Sequence, residues 1–224
     1  MKLDLANGAF TGPSGFKDPV TGRNILFTIA QGQRDSWAEY YAGWAHNGGM
    51  PVVLNLLPNN TLGISPIDEV KSLRQKAVLE MSHATLSQVN EQLKQVQGDA
   101  LDIEVTFSNI QANSFGLHLR MDPDRLEDTF VYYDMTKGGL YLNRLHSSLD
   151  KTQKDIVGDA LTMDKQLSLR ILLDRSLIEI YANGQNSLTS RVYPTLETAK
   201  HLEVFAEGGE VEVERIVVYP MGSQ

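Results

Sequence analysis

The chain has 224 residues, with 20 lysines and arginines against 28 aspartates and glutamates, which gives a formal net charge of −8 and a pI of about 5.1. This acidic balance argues against nucleic acid as a partner, because phosphate binding needs a basic surface. No apolar run reaches the roughly 18–20 residues of a membrane-spanning helix, so we expect no membrane partner. Cysteine is absent, which excludes disulfides, thiolate metal sites and cysteine nucleophiles. This length fits one large domain or two small ones.

The N-terminal third of the chain is rich in glycine, asparagine, threonine and aromatic residues. Strands are predicted there at residues 24–30 and 52–57. Gly8, Gly12 and Gly15 lack the Gly-Lys-Ser/Thr of a phosphate loop, so we expect a turn-rich loop. Two or three strands are too few to close a core of their own. This segment is therefore typical of a piece of a larger fold.

Both tryptophans of the chain, Trp37 and Trp44, lie in a glycine-rich, loop-like stretch together with Tyr40 and Tyr41. Aromatic rings at such a place stack on the apolar faces of sugars. They equally form a small local core beneath a loop. The sequence leaves these two interpretations open with equal weight.

Residues 69–97 carry apolar side chains at helical spacing in two runs, Leu73, Ala77 and Met81, then Leu86, Val89, Leu93 and Val96. The runs are poorly capped, and Gly98 is the one stop signal after them. We expect a connector with room for one short helix.

From residue 100 onward the pattern is strongly β. Nine strands are predicted, at residues 101–107, 115–121, 129–134, 140–145, 167–173, 177–182, 187–193, 202–206 and 211–219. Their short spacing without helices is typical of an antiparallel sandwich and excludes a parallel α/β fold. Alternation within residues 101–107 predicts a strand with one wet face. Asn183-Gly184 favours a turn of positive φ, so residues 167–193 are predicted to form a three-stranded meander.

Side chains for catalysis or metal binding give only weak signals. The five histidines show no pair at i,i+3 or i,i+4, so no metal site is predicted, and no cofactor is expected. No Gly-x-Ser-x-Gly elbow occurs. Asp122, Asp124, Glu127 and Asp128 surround a proline in a polar turn, where a solvated hairpin tip is favoured over a catalytic pair of carboxyl groups.

Four segments of the chain carry a resemblance to a known family. The string L-R-I-x-x-D-R-S-x-x-E-x-x-x-N-G at residues 169–184, followed by L-T-S-R-x-Y-P at residues 188–194, resembles the C-terminal β-sandwich of glycoside hydrolase family 32. These enzymes are the β-fructosidases, which include invertases, inulinases and levanases. Residues 10–27 resemble the family's fifth propeller blade, and residues 43–56 resemble its Gly-Trp stretch. Ser14 replaces the usual Gln, and Val52-Val53 replace Arg-Glu.

The resemblance implies an all-β fold, an antiparallel β-sandwich preceded by a partial β-propeller blade and a linker. The blade is expected at residues 1–68, the linker at 69–76 and the sandwich at 77–224. The family's N-D-P-N, R-D-P and E-C motifs are absent, since Arg34-Asp35 is followed by Ser36 and the chain has no cysteine. Retaining glycoside hydrolysis needs two carboxyl groups facing one sugar. We therefore assign no catalytic residue and expect this chain to be inactive alone.

The resemblance also implies a binding role for two residues of a parent enzyme. Phe10 stands at the aromatic position of the blade motif and Trp44 in the loop at the family's cleft, so both are expected to contact a fructoside. The expected partners are the remaining propeller blades, and a carbohydrate is the candidate ligand. The leading function is the non-catalytic C-terminal part of a fructan- or sucrose-type glycoside hydrolase. A lectin-like module and a partner subunit of a split glycosidase are the alternatives. No signal peptide is predicted, and the location of the parent is left open.

Overall fold

The structure, a computed structural model, describes residues 2–6, 8–150 and 154–222. Over these residues the chain forms three antiparallel sheets joined by short helices and turns. The predicted all-β class is confirmed. Within the same ranges, no helix is long and apolar enough to cross a membrane.

The first sheet has five strands in the order β1-β2-β4-β5, with β3 paired to β2, and its strands are β1 Phe10–Lys17, β2 Asn24–Ala30, β3 Asn47–Gly48, β4 Val52–Leu56 and β5 Leu62–Pro66. Helix α1, Ser36–Ala42, lies between β2 and β3. The predicted loop around Gly12 is wrong, because β1 pairs with β2 along this segment. A bulge between Thr11 and Ser14, with Gly12 at φ +55°, allows β1 and β2 to stay paired on both sides of it.

The connector contains a 3-10 helix, Asp68–Leu73, then strand β6, Leu79–Thr85, and helix α2, Leu86–Leu93. Thr85 and Gln88 form a capping box at the start of α2, and Val89 and Leu93 are fully buried on one side of it. The one short helix is therefore found. The strand was not expected, since its pairing with residues 212–220, far along the chain, has no local signature.

The sandwich contains β6 and ten further strands, which are β7 Ala100–Ser108, β8 Ser114–Met121, β9 Asp128–Asp134, β10 Gly139–His146, β11 Ile156–Ala160, β12 Leu167–Asp174, β13 Leu177–Ala182, β14 Asn186–Arg191, β15 His201–Glu207 and β16 Glu212–Pro220. They form two sheets, with the orders β11-β10-β9-β8-β15 and β14-β13-β12-β7-β16-β6. All nine predicted strands are present. Phe107 and Phe115 pack edge to face, with ring centroids 5.3 Å apart, and join the two sheets in one core.

The predicted meander is formed by β12, β13 and β14. Asn183 has φ +52° and Gly184 has φ +63°, as a tight turn of this composition requires. A side chain at Gly184 would meet no heavy atom within 4 Å, so the backbone conformation alone makes glycine the fitting residue.

The prediction of a wet face on β7 is wrong at Asp102, while Glu104 on the same face stays partly exposed. Asp102 is fully buried, and it lies in one row with Leu172 and Glu179 across β7, β12 and β13. This row faces the first sheet and the connector rather than solvent, because Leu172 packs in one core with Val52 and Val70. The part of the outer face of the six-stranded sheet around Asp102, Leu172 and Glu179 is thus an internal surface.

Candidate functional site

The surface between the first sheet and the outer face of the six-stranded sheet, here called the junction, gathers several of the polar motif residues. Its apolar centre comprises Val52, Ile64, Val70, Leu172 and Tyr181, with Phe10, Leu26, Met50, Leu54 and Met221 packed against it. These side chains come from the first sheet, the connector and the sandwich. The first sheet therefore buries its apolar face against side chains of the sandwich.

Arg191 and Tyr193, from the L-T-S-R-x-Y-P motif, hold the end of β2. The Arg191 guanidinium donates to the carbonyls of Ala30 and Gln31, each at 3.2 Å, and is only 4% exposed. The Tyr193 hydroxyl donates to the carbonyl of Gly32. Burial lowers the pKa of Arg191 and raises the pKa of Tyr193. These two side chains clamp residues 30–32 onto the sandwich.

Glu179, from the D-R-S-x-x-E motif, is 3% exposed and accepts the Met50 backbone N–H on both carboxylate oxygens, at 3.0 and 3.2 Å. Burial raises the pKa of Glu179 to about 7, and the nearby Asp4 carboxyl acts in the same direction. A cavity of about 290 Å³ opens beside it, bounded by residues 47–51 on one side and β12 and β13 on the other. Near neutral pH this acid therefore stands close to its protonation midpoint.

The turn between β13 and β14 and the first residues of the chain complete the junction. The Gly184 carbonyl accepts the Ile64 N–H at 3.1 Å, which ties the N-G turn to β5. Leu5 donates its N–H to the Ser187 carbonyl at 2.7 Å, and its side chain lies in the sandwich core. Asp4 accepts the Ser187 hydroxyl at 2.8 Å, and burial raises its pKa. This segment covers the edge of the six-stranded sheet.

A buried charge cluster fixes the connector. The Asp102 carboxylate accepts hydrogen bonds from Nε of Arg74 and from Nη2 of Arg170, each at 2.7 Å. Arg74 also donates a hydrogen bond to Glu104. The Arg74 guanidinium lies 4.1 Å from the centroid of the Tyr219 ring. With two arginines the buried Asp102 carboxylate is fully compensated, which explains how a charge fits on this inner surface.

The two residues expected to bind sugar have different surroundings. Phe10 begins β1 opposite Ala30, and its ring packs on the apolar centre of the junction. Trp44 follows α1 and is 40% exposed. Its ring stacks 4.2 Å from the Arg34 guanidinium carbon, and Tyr193 flanks the same guanidinium at 4.6 Å. Their contact with a fructoside stays a prediction.

The aromatic stretch around them forms a helix rather than the expected loop. Trp37, Tyr40 and Tyr41 of α1 are 69%, 74% and 81% exposed, and no residue of this helix is buried. For these three rings the local-core interpretation is wrong, because nothing in the described residues covers them.

The acidic turn also differs from expectation. Glu127 is fully buried and accepts backbone N–H groups of Leu149, Thr195 and Leu196 at 2.7–2.8 Å. Burial alone would raise the pKa of Glu127, but these donors together with the Thr195 hydroxyl outweigh it and lower the pKa. Asp122 is likewise buried and bound by backbone donors. The two carboxylates brace loops inside the fold instead of standing at a solvated tip.

Arg144, on β10 of the five-stranded sheet, is a buried residue that contacts the segment after β2 and that the motifs did not reveal. It is 1% exposed and donates through Nη1 to the Gln33 side chain and to the Arg191 carbonyl, each at 3.0 Å. The sequence did carry a signal for its burial. Arg144 lies at an even-numbered position of β10, as Leu140 and Leu142 do, and alternate residues of a strand face the same side.

Comparison with known proteins identifies the family to which this fold belongs. The sequence profile described as the C-terminal part of glycosyl hydrolases family 32 matches residues 69–220. The chain belongs to glycosyl hydrolases family 32. It is 27% identical, over its whole length, to 43% of the 6(G)-fructosyltransferase of Asparagus officinalis. Over 56% of its length it is 31% identical to 25% of the extracellular exo-inulinase of Aspergillus awamori.

Solved structures of family 32 share the fold. The fructan 1-exohydrolase IIa of Cichorium intybus superposes with a TM-score of 0.84 at 18% identity, covering 99% of this chain and 49% of that one. The sucrose-6-phosphate hydrolase of Lactobacillus gasseri gives 0.78 over 99% of this chain and 43% of that one. The chain thus spans less than half the length of these relatives. In this family 32 chain, four of the motif residues, Glu179, Gly184, Arg191 and Tyr193, contact the first sheet or the residues next to it.

Proposed function

We propose that this chain is the non-catalytic C-terminal part of a glycoside hydrolase of the fructan- or sucrose-type, in which the sandwich packs on a catalytic propeller and stabilises it. The observation that supports this is the use of the motif residues. Arg191, Tyr193 and Glu179 form hydrogen bonds with backbone groups in the first sheet and directly next to its strands. Because the motif residues of the sandwich bind the first sheet, we infer that the sandwich holds this sheet in position.

The proposed division is a partial blade at residues 1–68, a linker at 69–76 and a sandwich at 77–224. The remaining blades would pack on the free face of the first sheet. Phe16, Phe27 and Ile29 share that face and are 50%, 46% and 43% exposed, and the two phenylalanine rings stack with centroids 6.1 Å apart. An exposed apolar face of this kind marks a protein contact. Phe10 and Trp44 would then line the sugar cleft of the assembled enzyme.

The test compares the chain alone with the chain co-expressed with a propeller that carries the family's two aspartate motifs and its glutamate-cysteine motif. Alone, the chain should release no sugar from sucrose, inulin or levan. Together, the propeller should co-purify with the chain and melt at a higher temperature. The variant Phe27→Asp should weaken this association and leave the melting of the sandwich unchanged. Hydrolysis by the chain alone contradicts the non-catalytic assignment, and an unaffected propeller contradicts the stabilising role.

A further inference from the structure

Asparagine followed by glycine is a dipeptide at which a protein chain readily loses a side-chain amide. The backbone nitrogen of the glycine attacks the side-chain carbonyl carbon of the asparagine, and ammonia leaves as a succinimide ring closes. Water then opens the ring at either of its carbonyls and yields aspartate or isoaspartate. Glycine favours the attack because it has no side chain to hinder the approach and because its backbone is the most permissive. The rate at a given site therefore depends on how the local structure holds the two residues.

The described part of the chain contains two complete pairs of this kind, Asn47-Gly48 and Asn183-Gly184. A third pair, at residues 7–8, begins outside the described residues. Asn47-Gly48 forms strand β3, and both of its residues are exposed. Asn183-Gly184 lies in the turn between β13 and β14. The two pairs have the same chemistry and different surroundings, so their reactivity can be compared within one protein.

The backbone N–H of Gly48 points away from strand β2. Neighbouring residue pairs of an antiparallel ladder alternate between pairs that exchange N–H···O bonds and pairs that do not. Gly49 donates its N–H to the Thr28 carbonyl at 3.0 Å, so the next pair, Ile29 and Gly48, is of the second type. Among the described strands, β3 pairs with β2 alone. The nitrogen that must attack therefore makes no ladder hydrogen bond in the described sheet.

The Asn47 side chain lies over the residue that would attack it. Its amide Nδ2 donates to the Gly48 carbonyl at 3.0 Å, which keeps the side chain folded back on Gly48. A Cβ at Gly48 would meet no heavy atom within 4 Å, so open space surrounds the position where the ring closes. The attacked carbon and the attacking nitrogen are thus held together in an open region of the surface.

Asn183 is held in a different way. Its side-chain oxygen accepts the Ser168 N–H at 2.8 Å, and its own N–H donates to the Ser168 carbonyl at 2.8 Å. These bonds tie both the side chain and the backbone of Asn183 to β12. The Gly184 carbonyl accepts the Ile64 N–H, which fixes the next residue as well. Ring closure at Asn183 must break this network, so we expect a higher barrier there.

The position of Asn47 gives the reaction a consequence for the junction. Asn47 borders the cavity of about 290 Å³ that Glu179 and Asp174 also line. Deamidation adds a carboxylate beside these two acids, and like charges at short range destabilise each other. In the isoaspartate product the backbone is also longer by one methylene, which shifts Met50 relative to Glu179, the acceptor of its N–H. Both products therefore weaken the contact between the first sheet and the sandwich.

We propose that Asn47-Gly48 is a deamidation site of this chain, and that its conversion to aspartate or isoaspartate loosens the first sheet from the sandwich. The reaction consumes one water and releases one ammonia, and it involves no other reactant. Each converted molecule carries one more negative charge at the junction. This proposal stands apart from the proposed function, because neither a sugar nor a propeller takes part in it.

The first experiment incubates the purified 224-residue chain at neutral pH and follows each asparagine by peptide mapping with mass spectrometry. Enzymatic methylation of isoaspartate identifies the product. Asn47 should convert at least about tenfold faster than Asn183, a ratio that needs a barrier difference of only about 1.4 kcal/mol. Gly48→Ala should suppress conversion at Asn47 and leave the rate at Asn183 unchanged. Alanine fits at this position, because Gly48 has no positive φ and open space around it. No conversion at Asn47, or a rate no higher than at Asn183, overturns the proposal.

The second experiment measures the consequence at the junction. Asn47→Asp carries the charge of the product, and Asn47→Gln is the matched control, because it keeps an amide whose longer side chain disfavours ring closure. Limited proteolysis should cut the first sheet of Asn47→Asp faster than that of the native chain or of Asn47→Gln, with the sandwich intact in all three. Aged native protein should behave like Asn47→Asp, while aged Asn47→Gln should not. Equal digestion of all these samples would overturn the proposed loosening.

Discussion

The sandwich and the first sheet bury their apolar surface in different ways. In the sandwich two sheets face each other, and Phe107, Phe115 and Leu117 between them are fully buried. Among the described residues, one face of the first sheet packs on the connector and on the outer face of the six-stranded sheet, and its other face exposes Phe27 and Ile29. A sheet covered on one side depends for stability on that single contact. The difference predicts an autonomous sandwich and a dependent first sheet.

Breaking the clamp should have the largest effect. Arg191→Ala leaves the buried carbonyls of Ala30 and Gln31 without their donor, which should cost on the order of 4 kcal/mol, at about 1–3 kcal/mol for each orphaned group plus lost packing. Limited proteolysis should then cut the first sheet sooner and leave the sandwich intact. Arg215→Ala, an exposed ion-pair residue, is the control and should change little. Digestion of the sandwich before the first sheet would reverse the comparison.

The acid in the junction should make its stability pH-dependent. Burial raises the pKa of Glu179 from 4.5 to about 7, so the folded state holds a proton that the unfolded state has lost in this interval. The stability from this protonation is complete below pH 4.5 and is lost as pH rises to 7, a change on the order of 3 kcal/mol.

The variant Glu179→Gln should lack this pH dependence, because an amide oxygen still accepts the Met50 N–H but does not titrate. Urea unfolding at pH 4.5, 6 and 8 measures it. The variant should gain relative to the native chain at each step toward pH 8. Parallel profiles for the two proteins would show that Glu179 does not govern the junction.

The turn that touches β5 gives a smaller expected effect. Gly184→Val forces a β-branched residue to φ +63°, which should cost about 1–2 kcal/mol through backbone strain, since open space surrounds the position. Gly184→Asn is the matched control, because asparagine tolerates this conformation. Thermal melts of both variants suffice. A valine variant that melts like the native chain would remove the turn assignment.

Truncating Trp44 should affect stability least. Its ring is 40% exposed, and Trp44→Ala loses mainly the Arg34 contact, about 1 kcal/mol. In the assembled enzyme we expect a larger effect on substrate or transition-state binding, read from kcat/KM. Phe10→Ala, whose ring packs on the apolar centre of the junction, should lower the melting temperature more. A large stability loss with unchanged kinetics for Trp44→Ala would assign this ring to the core.

The sequence correctly predicted those elements of the fold that depend on interactions between residues close together in the chain. Alternation in the sandwich strands and the positive-φ requirement at Asn183-Gly184 were sufficient for those elements, because each depends on neighbours within a few residues. β6 escaped prediction because it is defined by pairing with β16, more than a hundred residues away. The acids Asp102 and Glu127 looked solvated, since only folding brings Arg74 and the N–H groups near Thr195 to them.

The sequence by itself determined the all-β class, the strands of the sandwich and the family, since motif strings and alternating hydrophobicity are properties of the chain alone. The tertiary structure decided which of the polar motif residues face solvent and which face another sheet. It placed Glu179 and Arg191 in the junction, and it turned the three rings of α1 outward. The physical reason is that the environment of a charged or aromatic side chain is set by segments distant in sequence. One strand pattern therefore serves equally for a wet face and for a face covered by a second sheet.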